Sequence, residues 1–520
     1  MKKYIKITAG LAFIACLMLP FSCSDDLLDQ VNDNTIPSSG FWKTPEDAQL
    51  AVNGMFHSLT GTFFWGRIIH TGALLRSDAF NIRPFGTNTS MSTFQGEAGV
   101  ARWAVEPWQE AYKAIFRANN VLENVNATSV PDDTQRNGFL GQAYFVRAFA
   151  HWYLVNLYGN VPLVTSVLKV GDDFFPEQAS RDAVWNQIVA DLEQAETLLP
   201  TSWGSDDTGR PTSGSATALK GKTYLYQGNW SAASTVLMSV VNSGKYMLLP
   251  TDRYHENFDE SMENNEESVF ELQFLGVESF VWGQDIPGTG TMGNFHLDYS
   301  PPEKSLDQGH FINPWVKDLF EANGETVRRN NTLAYDYPGS TGYGGEPFLT
   351  DFAGDIDVAN ADGVEPIFTR KYAGMDIGKR DDVKGLGTNV GTNWRIIRYA
   401  DVLLMLAEAL NEQGQSTDAE MYLNMVRSRA EVAPKTGLGQ DEMRQAIIDE
   451  RVLELTGEGH RFFDLVRWGL ADDYLGETSL HGAHPKSLSG GVFKTDKHEY
   501  VWIPQSELDA NQNLNQNPGY

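Results

Sequence analysis

Apolar residues recur every three or four positions through most of the first half of this chain and again near its end, the period of helices that bury one face. The pattern predicts helices over 108–124, 139–158, 181–199, 215–227 and 230–242, and later over 398–413, 417–430 and 442–458. An earlier helix is expected from Thr44-Pro45-Glu46-Asp47, where Thr44 suits an N-cap, Pro45 fits the first turn and the two acids favour the positive end of the helix dipole. Between about 246 and 393 the helical period is lost. Short apolar runs such as 268–274 alternate like strands between stretches rich in Gly, Pro, Asn and Asp, with one helix near 313–322. The expected fold is mainly α, a helical scaffold over about 38–245 and 394–520 carrying an irregular, loop-rich insertion with short strands over about 246–393.

Two helical stretches share an internal signature. Gly221, Tyr224, Gly228, Ala233 and Leu237 have the same spacing as Ala407, Leu410, Gly414, Ala419 and Leu423. This is the tetratricopeptide pattern, in which small residues let two antiparallel helices approach and larger ones fill the remaining gap. The two copies are read as helix pairs of one tetratricopeptide-like scaffold, separated in sequence by the irregular insertion.

The N-terminus bears on location. Lys2, Lys3 and Lys6 precede an apolar run over 11–21 that ends at Ser22-Cys23, followed by Ser24-Asp25-Asp26. A cationic head, a short apolar centre and a small residue before cysteine predict a secretory leader over 1–22, lipidation of Cys23 and a polar tether over 23–37. Pro20-Phe21 depart from a strict lipobox, so cleavage without lipid is the alternative. The apolar run is short for a membrane span. Cys16 falls inside the leader, so Cys23 would be the one remaining thiol and no disulfide is expected. The chain has 520 residues, enough for a large core, with 68 acidic residues against 40 basic and a formal net charge of −28. That balance repels nucleic acid and anionic headgroups, which argues against both as electrostatic partners.

Several segments resemble the SusD/RagB outer-membrane lipoproteins of Bacteroidetes. They are Gly40-Phe41-Trp42-Lys43-Thr44 with Asp47-Ala48 and Asn53-Gly54-Met55-Phe56; Arg117-Ala118-Asn119 with Val121-Leu122; and Ala143-Tyr144-Phe145-Val146-Arg147-Ala148 leading to Tyr158-Gly159-Asn160-Val161-Pro162-Leu163. Later come Glu450-Arg451 with Glu454-Leu455, Gly459-His460-Arg461-Phe462-Phe463-Asp464-Leu465 with Arg467-Trp468-Gly469, and Gln516-Asn517-Pro518-Gly519-Tyr520. The resemblance implies a SusD-like fold over 38–520 and a non-catalytic protein without a cofactor, lipid-anchored in the outer membrane and facing the cell exterior. It also implies a SusC-like TonB-dependent barrel as partner. The implied cargo is a glycan, with oligopeptide as the alternative within the family.

The residues themselves narrow the site. Glu450, Arg451, Glu454, Glu458, Arg461, Asp464 and Arg467 have the spacing of ion pairs between neighbouring helical turns and helix ends, a structural reading preferred to an active-site cluster. Trp42, Trp108, Trp152, Trp230 and Trp468 sit in helical patterns and are assigned to the core, as is Trp315 on a face with Phe311, Leu319 and Phe320. Sugar rings pack on aromatic faces and their hydroxyls need planar polar partners. Two loop regions offer both: Asp78, Asn81, Arg83, Phe85 and Asn88 in one, and Trp282, Gln284, Asp285, Tyr299, Tyr335, Tyr337 and Tyr343 in the other. Asp355, Asp357, Asn360 and Asp362-Gly363 have calcium-loop composition without the required spacing, and are read as a solvated acidic loop. No zinc-type histidine pair, Gly-x-Ser-x-Gly, phosphate loop or dinucleotide fingerprint occurs. The enzymatic rival, a surface glycoside hydrolase, would need one carboxylic acid of raised pKa facing a second carboxylate across a cleft.

Overall fold

The computed structural model describes residues 40–82, 94, 101–274, 299, 310–373, 391–480 and 492–520; the leader, the tether and Cys23 lie outside them. Helix α1 (Pro45–Thr60) starts as its sequence dictates. The Thr44 hydroxyl accepts from the Asp47 amide at 3.3 Å while the Asp47 carboxylate accepts from the Thr44 amide at 3.0 Å, so two otherwise unpaired donors are satisfied reciprocally. Ala48, Val52, Met55 and Leu59 form its buried stripe. Helix α2 (Ile68–Leu75) is buried at every position. Then follow α3 (Ala101–Asn124), α4 (Asp133–Tyr158), α5 (Arg181–Leu198), α6 (Ser213–Tyr226) and α7 (Trp230–Asn242). Helix α3 begins at Ala101 and runs through Pro107, whereas the sequence pattern put its start at 108. Proline there costs one backbone bond near the helix start, and the flanking turns hold.

The helices stack in order. α1 packs on α3, α3 on α4, α4 on α5, α5 on α6 and α6 on α7. The next neighbour of α7 is α11 (Tyr399–Glu412), which pairs with α12 (Ser416–Arg429) and packs on α13 (Gln440–Leu455). The two repeat copies, far apart in sequence, are therefore adjacent in space. A Cβ added to Gly221 would meet Leu237 Cδ2 at 2.6 Å, so glycine is what lets α6 and α7 close. Gly228 and Gly414 take equivalent positive φ values, 71° and 76°, at the turns that reverse each pair. Trp108 and Trp152 are buried in this stack, but Trp42 and Trp230 are half-buried at the margin of the core, and Trp468, also half-buried, instead donates its indole to Glu408 at 2.8 Å, so the assignment of these three to the core is corrected.

The intervening part contains β2 (Ser268–Leu272), β3 (His310–Ile312), α8 (Pro314–Ala322), α9 (Val327–Thr332) and α10 (Ala353–Asp362), with β1 (Phe80–Ile82) coming from between α2 and α3 and β4 (Trp394–Arg398) leading into α11. β1 pairs antiparallel with β3, and β2 with β4 through a bulged register. The acidic run containing Asp355, Asp357 and Asn360 is helix α10, not a solvated loop: Asp355 is fully buried, and the left-handed Gly363 ends the helix. Among the described residues no acidic or histidine cluster has the arrangement of a metal site. Helix α13 stops at Leu455, short of the expected 458, because Gly457 and Gly459 adopt positive φ and turn the chain into α14 (Arg461–Arg467).

Candidate functional site

The strand pairs bring together the roots of the segments that carry most of the candidate ligand residues. Ile82 lies opposite His310 and Leu272 opposite Trp394. In sequence, Arg83 and Phe85 come one and three positions after the last residue of β1, and Trp282, Gln284 and Asp285 come ten to thirteen positions after the last residue of β2. These five residues and Asn88 lie outside the described residues. Tyr299 links the two stems, with ring centroids 5.7 Å from Trp394 of β4 and 6.4 Å from His310 of β3.

Beneath the stems is an aromatic floor centred on Trp394. His70 of α2 stacks on one side at 4.4 Å and Tyr372 on the other at 4.1 Å, with Trp65 and Tyr299 at its edges. All five rings are buried, so the floor is packed and holds its shape.

The described candidates are mostly part of this support. Asp78 is fully buried; its carboxylate accepts from Arg461 at 2.9 and 3.0 Å, and its carbonyl accepts from the Asn313 amide and, at 3.0 Å, from the Trp315 indole. Trp315 is half-buried at this contact, and Phe311, expected on the same face, belongs to a separate core cluster. Asn81 is buried in β1 opposite Phe311. Tyr299 is fully buried. So is Tyr343, which stacks on Phe352 and donates its hydroxyl to the Ala373 carbonyl at 3.1 Å. Tyr335 is buried and Tyr337 half-buried, their rings 5.2 Å apart and both within 5.7 Å of the Arg329 guanidinium. Glycine and proline around these tyrosines mark tight turns that draw the rings inward. Among the described residues the exposed aromatic rings are Phe116, Phe174 and Phe175, which sequence reasoning did not nominate.

The charged residues of the C-terminal helices are paired, but not with helical neighbours as their spacing suggested. Arg398 of β4 joins Glu267, Glu454 and Glu458; Arg429 joins Glu267 and Glu454; Arg328 joins Glu325, Glu450 and Glu454; Lys371 holds Glu458 and Arg427 holds Glu450. Five basic and five acidic side chains thus form one charge-neutral, buried cluster. A second chain alternates in sign from Lys222 through Asp401, Arg451, Asp464 and Arg467 to Glu408. Of the contacts in that chain, Arg467–Asp464 is the local one the spacing predicted. Burial alone would raise Glu454, Glu458 and Asp464, yet the facing cations hold all three below the ordinary carboxylate range. None is poised to donate a proton. Glu263 differs: burial pushes it up to about 8, against the Asn393 amide that donates to it and assisted by Glu271. Glu271, the nearby second carboxylate, is bound to Arg395 at 3.2 Å.

Residues 354–520 match the family described as the SusD family, and residues 81–225 match one described as starch-binding associating with outer membrane. SusD-like protein P2 of Formosa agariphila is 29% identical, with all of both chains covered. A SusD superfamily protein from Bacteroides vulgatus is 26% identical at a TM-score of 0.76, over 92% of this chain and 100% of that one. A laminarin-binding SusD-like protein is 28% identical at a TM-score of 0.72, with the same coverage. Two family matches, one before the insertion and one beginning within it, full-length relatives and a shared helical stack agree, and the chain belongs to the SusD/RagB family.

Proposed function

We propose that this chain is a non-catalytic, cell-surface glycan-binding protein that passes oligosaccharide to a SusC-like TonB-dependent transporter of the outer membrane, held there by lipid on Cys23. The observation that carries the reading is the likeness to a laminarin-binding SusD-like protein across 92% of the chain. Two further features support it. No helix among the described residues is long and apolar enough to cross a membrane, which suits an anchor outside the folded body. The acids of the C-terminal helices are locked to arginine and lysine, which is a scaffold's arrangement and not that of a glycosidase acid. In this reading the glycan is met by the segments rooted on the β1–β3 and β2–β4 stems, including Arg83, Phe85, Trp282, Gln284 and Asp285, while the buried tyrosines fix the support.

The test is a binding screen of purified protein against plant, fungal and host polysaccharides, with oligopeptides included and reducing ends assayed in parallel. Saturable glycan binding with no new reducing ends is expected. Sustained release of reducing ends, abolished by a single substitution such as Glu263→Gln, would make the chain a hydrolase. Binding confined to oligopeptides would move it to the peptide-binding alternative.

A further inference from the structure

At the base of the β2 stem, a cleft of about 580 Å³ opens between α1, α3, the 206–210 turn and the end of β2. That volume lies within the range of small-molecule sites. Its floor is apolar, from Phe270 and Leu272; Leu50 and Phe56 of α1 flank it, and Asn53, Arg117 and Asp206 supply polar groups. A smaller hollow of about 220 Å³ shares the 208–210 turn and continues past it.

Two observations mark the cleft as more than a surface dent. The first is Gly54, in the middle of α1 and lining the cleft. Glycine weakens a helix interior relative to alanine, so its presence needs a cause. At Gly221 and Gly141 the cause is packing, because a Cβ would meet a leucine side chain at 2.6 and 2.8 Å. At Gly54 a Cβ would meet nothing within 4 Å. Packing does not require this glycine, and a longer side chain here would extend into the cleft.

The second is unused hydrogen-bonding capacity. Asn53 Oδ1 accepts from Gln49 and Arg210, both at 2.9 Å, which fixes the amide and leaves its nitrogen as a donor. Arg117 is anchored through Nη1 alone, to the Gly54 carbonyl at 2.6 Å and Ser58 Oγ at 2.7 Å, so Nε and Nη2 donate to no described residue and no described carboxylate pairs with it. Asp206 takes one hydrogen bond, from Ser205. Fixed planar donors and an acceptor beside an aromatic ring and an apolar floor are what a sugar's hydroxyls and C–H faces need.

We propose that this cleft is a second oligosaccharide site, distinct from the loop-borne one and kept open by Gly54. The inference rests on the reading of the chain as a glycan binder. Gly54→Leu places a side chain into the cleft while removing no contact and raising helix propensity, so the variant should unfold at or above the wild-type temperature. Isothermal titration would use laminarin-derived oligosaccharides in one arm and alginate-derived uronate oligomers in the other, since Arg117 can serve either a neutral or an acidic sugar. Wild-type protein is expected to take two molecules per chain in one arm. Gly54→Leu should take one, and Asn53→Ala should weaken the lost site at least tenfold. Stoichiometry and heat unchanged in Gly54→Leu would overturn the second site and leave the functional reading standing. No binding of either probe by wild-type protein would overturn the second site, and the functional reading falls with it only if the wider polysaccharide screen is also blank.

Discussion

Arg398→Met removes the cation at the centre of the buried cluster while keeping most of its volume. Arg398 donates to Glu458 twice at 2.7 Å, to Glu454 at 3.0 Å and to Glu267 at 2.5 Å, and is 1% exposed. Without it Glu458 retains Lys371, Glu267 retains Arg429, and Glu454 retains Arg328 and Arg429, so the cluster changes from neutral to one excess negative charge. Breaking a buried pair by removing one partner costs about 3–5 kcal/mol, chiefly because a charge is left uncompensated. The sign of the pH dependence follows. In the wild type, Glu454 and Glu458 sit below the ordinary range, so their contribution is fully present above the unfolded value near 4.5 and is lost only as pH falls through the lower folded values. In the variant one carboxylate is pushed above that value. Its penalty is full at pH 8 and fades as pH falls towards 5, at about 1.4 kcal/mol per pH unit while the group takes up its proton. Urea unfolding of both proteins at pH 5, 6.5 and 8 measures this. A difference that stays constant across the three, or one below about 1 kcal/mol at pH 8, would refute the view that uncompensated charge is what the arginine prevents.

Gly221→Val should drive α6 from α7 against Leu237 and lower stability by about 1–3 kcal/mol, read by calorimetric unfolding. Tyr343→Ala should cost about 3–5 kcal/mol, as for a deleted buried aromatic, yet spare glycan affinity in the folded fraction. Trp282→Ala should show the reverse, with affinity weakened by about 1–3 kcal/mol and the unfolding curve unmoved, by titration and thermal melts on the same preparations. Cys23→Ala should leave a folded protein that no longer sediments with the outer membrane in a strain lacking the transporter; unchanged sedimentation there would remove the lipid from the account.

The helix pairs were legible because each has one wet and one dry face, and a period of three to four survives in the letters. α2 was not, since a helix buried on every side carries no such period. The repeat spacing identified two helix pairs but not that α7 and α11 touch, which depends on how the insertion folds out between them. The site was less legible for a related reason. β1 and β3 meet across more than two hundred residues through three positions each, too short a run to announce a partner. Loop tyrosines read the same whether a ring faces water or, like Tyr343, a stack of phenylalanines. The segment Asn53-Gly54-Met55-Phe56 carries the family resemblance in sequence but no sign of a cleft, and only the empty space around Gly54 distinguishes that glycine from Gly221.

The misread charges explain most about how the molecule works. Spacing of three and four suggests structural ion pairs between neighbouring helical turns and helix ends, which on an exposed face would stabilise only slightly. Burial changes their role. Apolar residues of similar volume could fill the same space without loss of stability, so stability alone does not account for five acids and five bases in the interior. Apolar side chains, however, tolerate sliding, whereas a guanidinium donates to its carboxylates in one plane and over a narrow range of distance. Arg398 sits on β4, Glu454 on α13, Glu458 in the glycine turn after it, Arg328 on α9 and Arg429 at the end of α12. The cluster therefore fixes the β4 stem in register with three helices. If the proposed ligand surface is made from segments rooted on these short strands, it needs that fixity from below, because a strand pair of three to five residues cannot supply it alone.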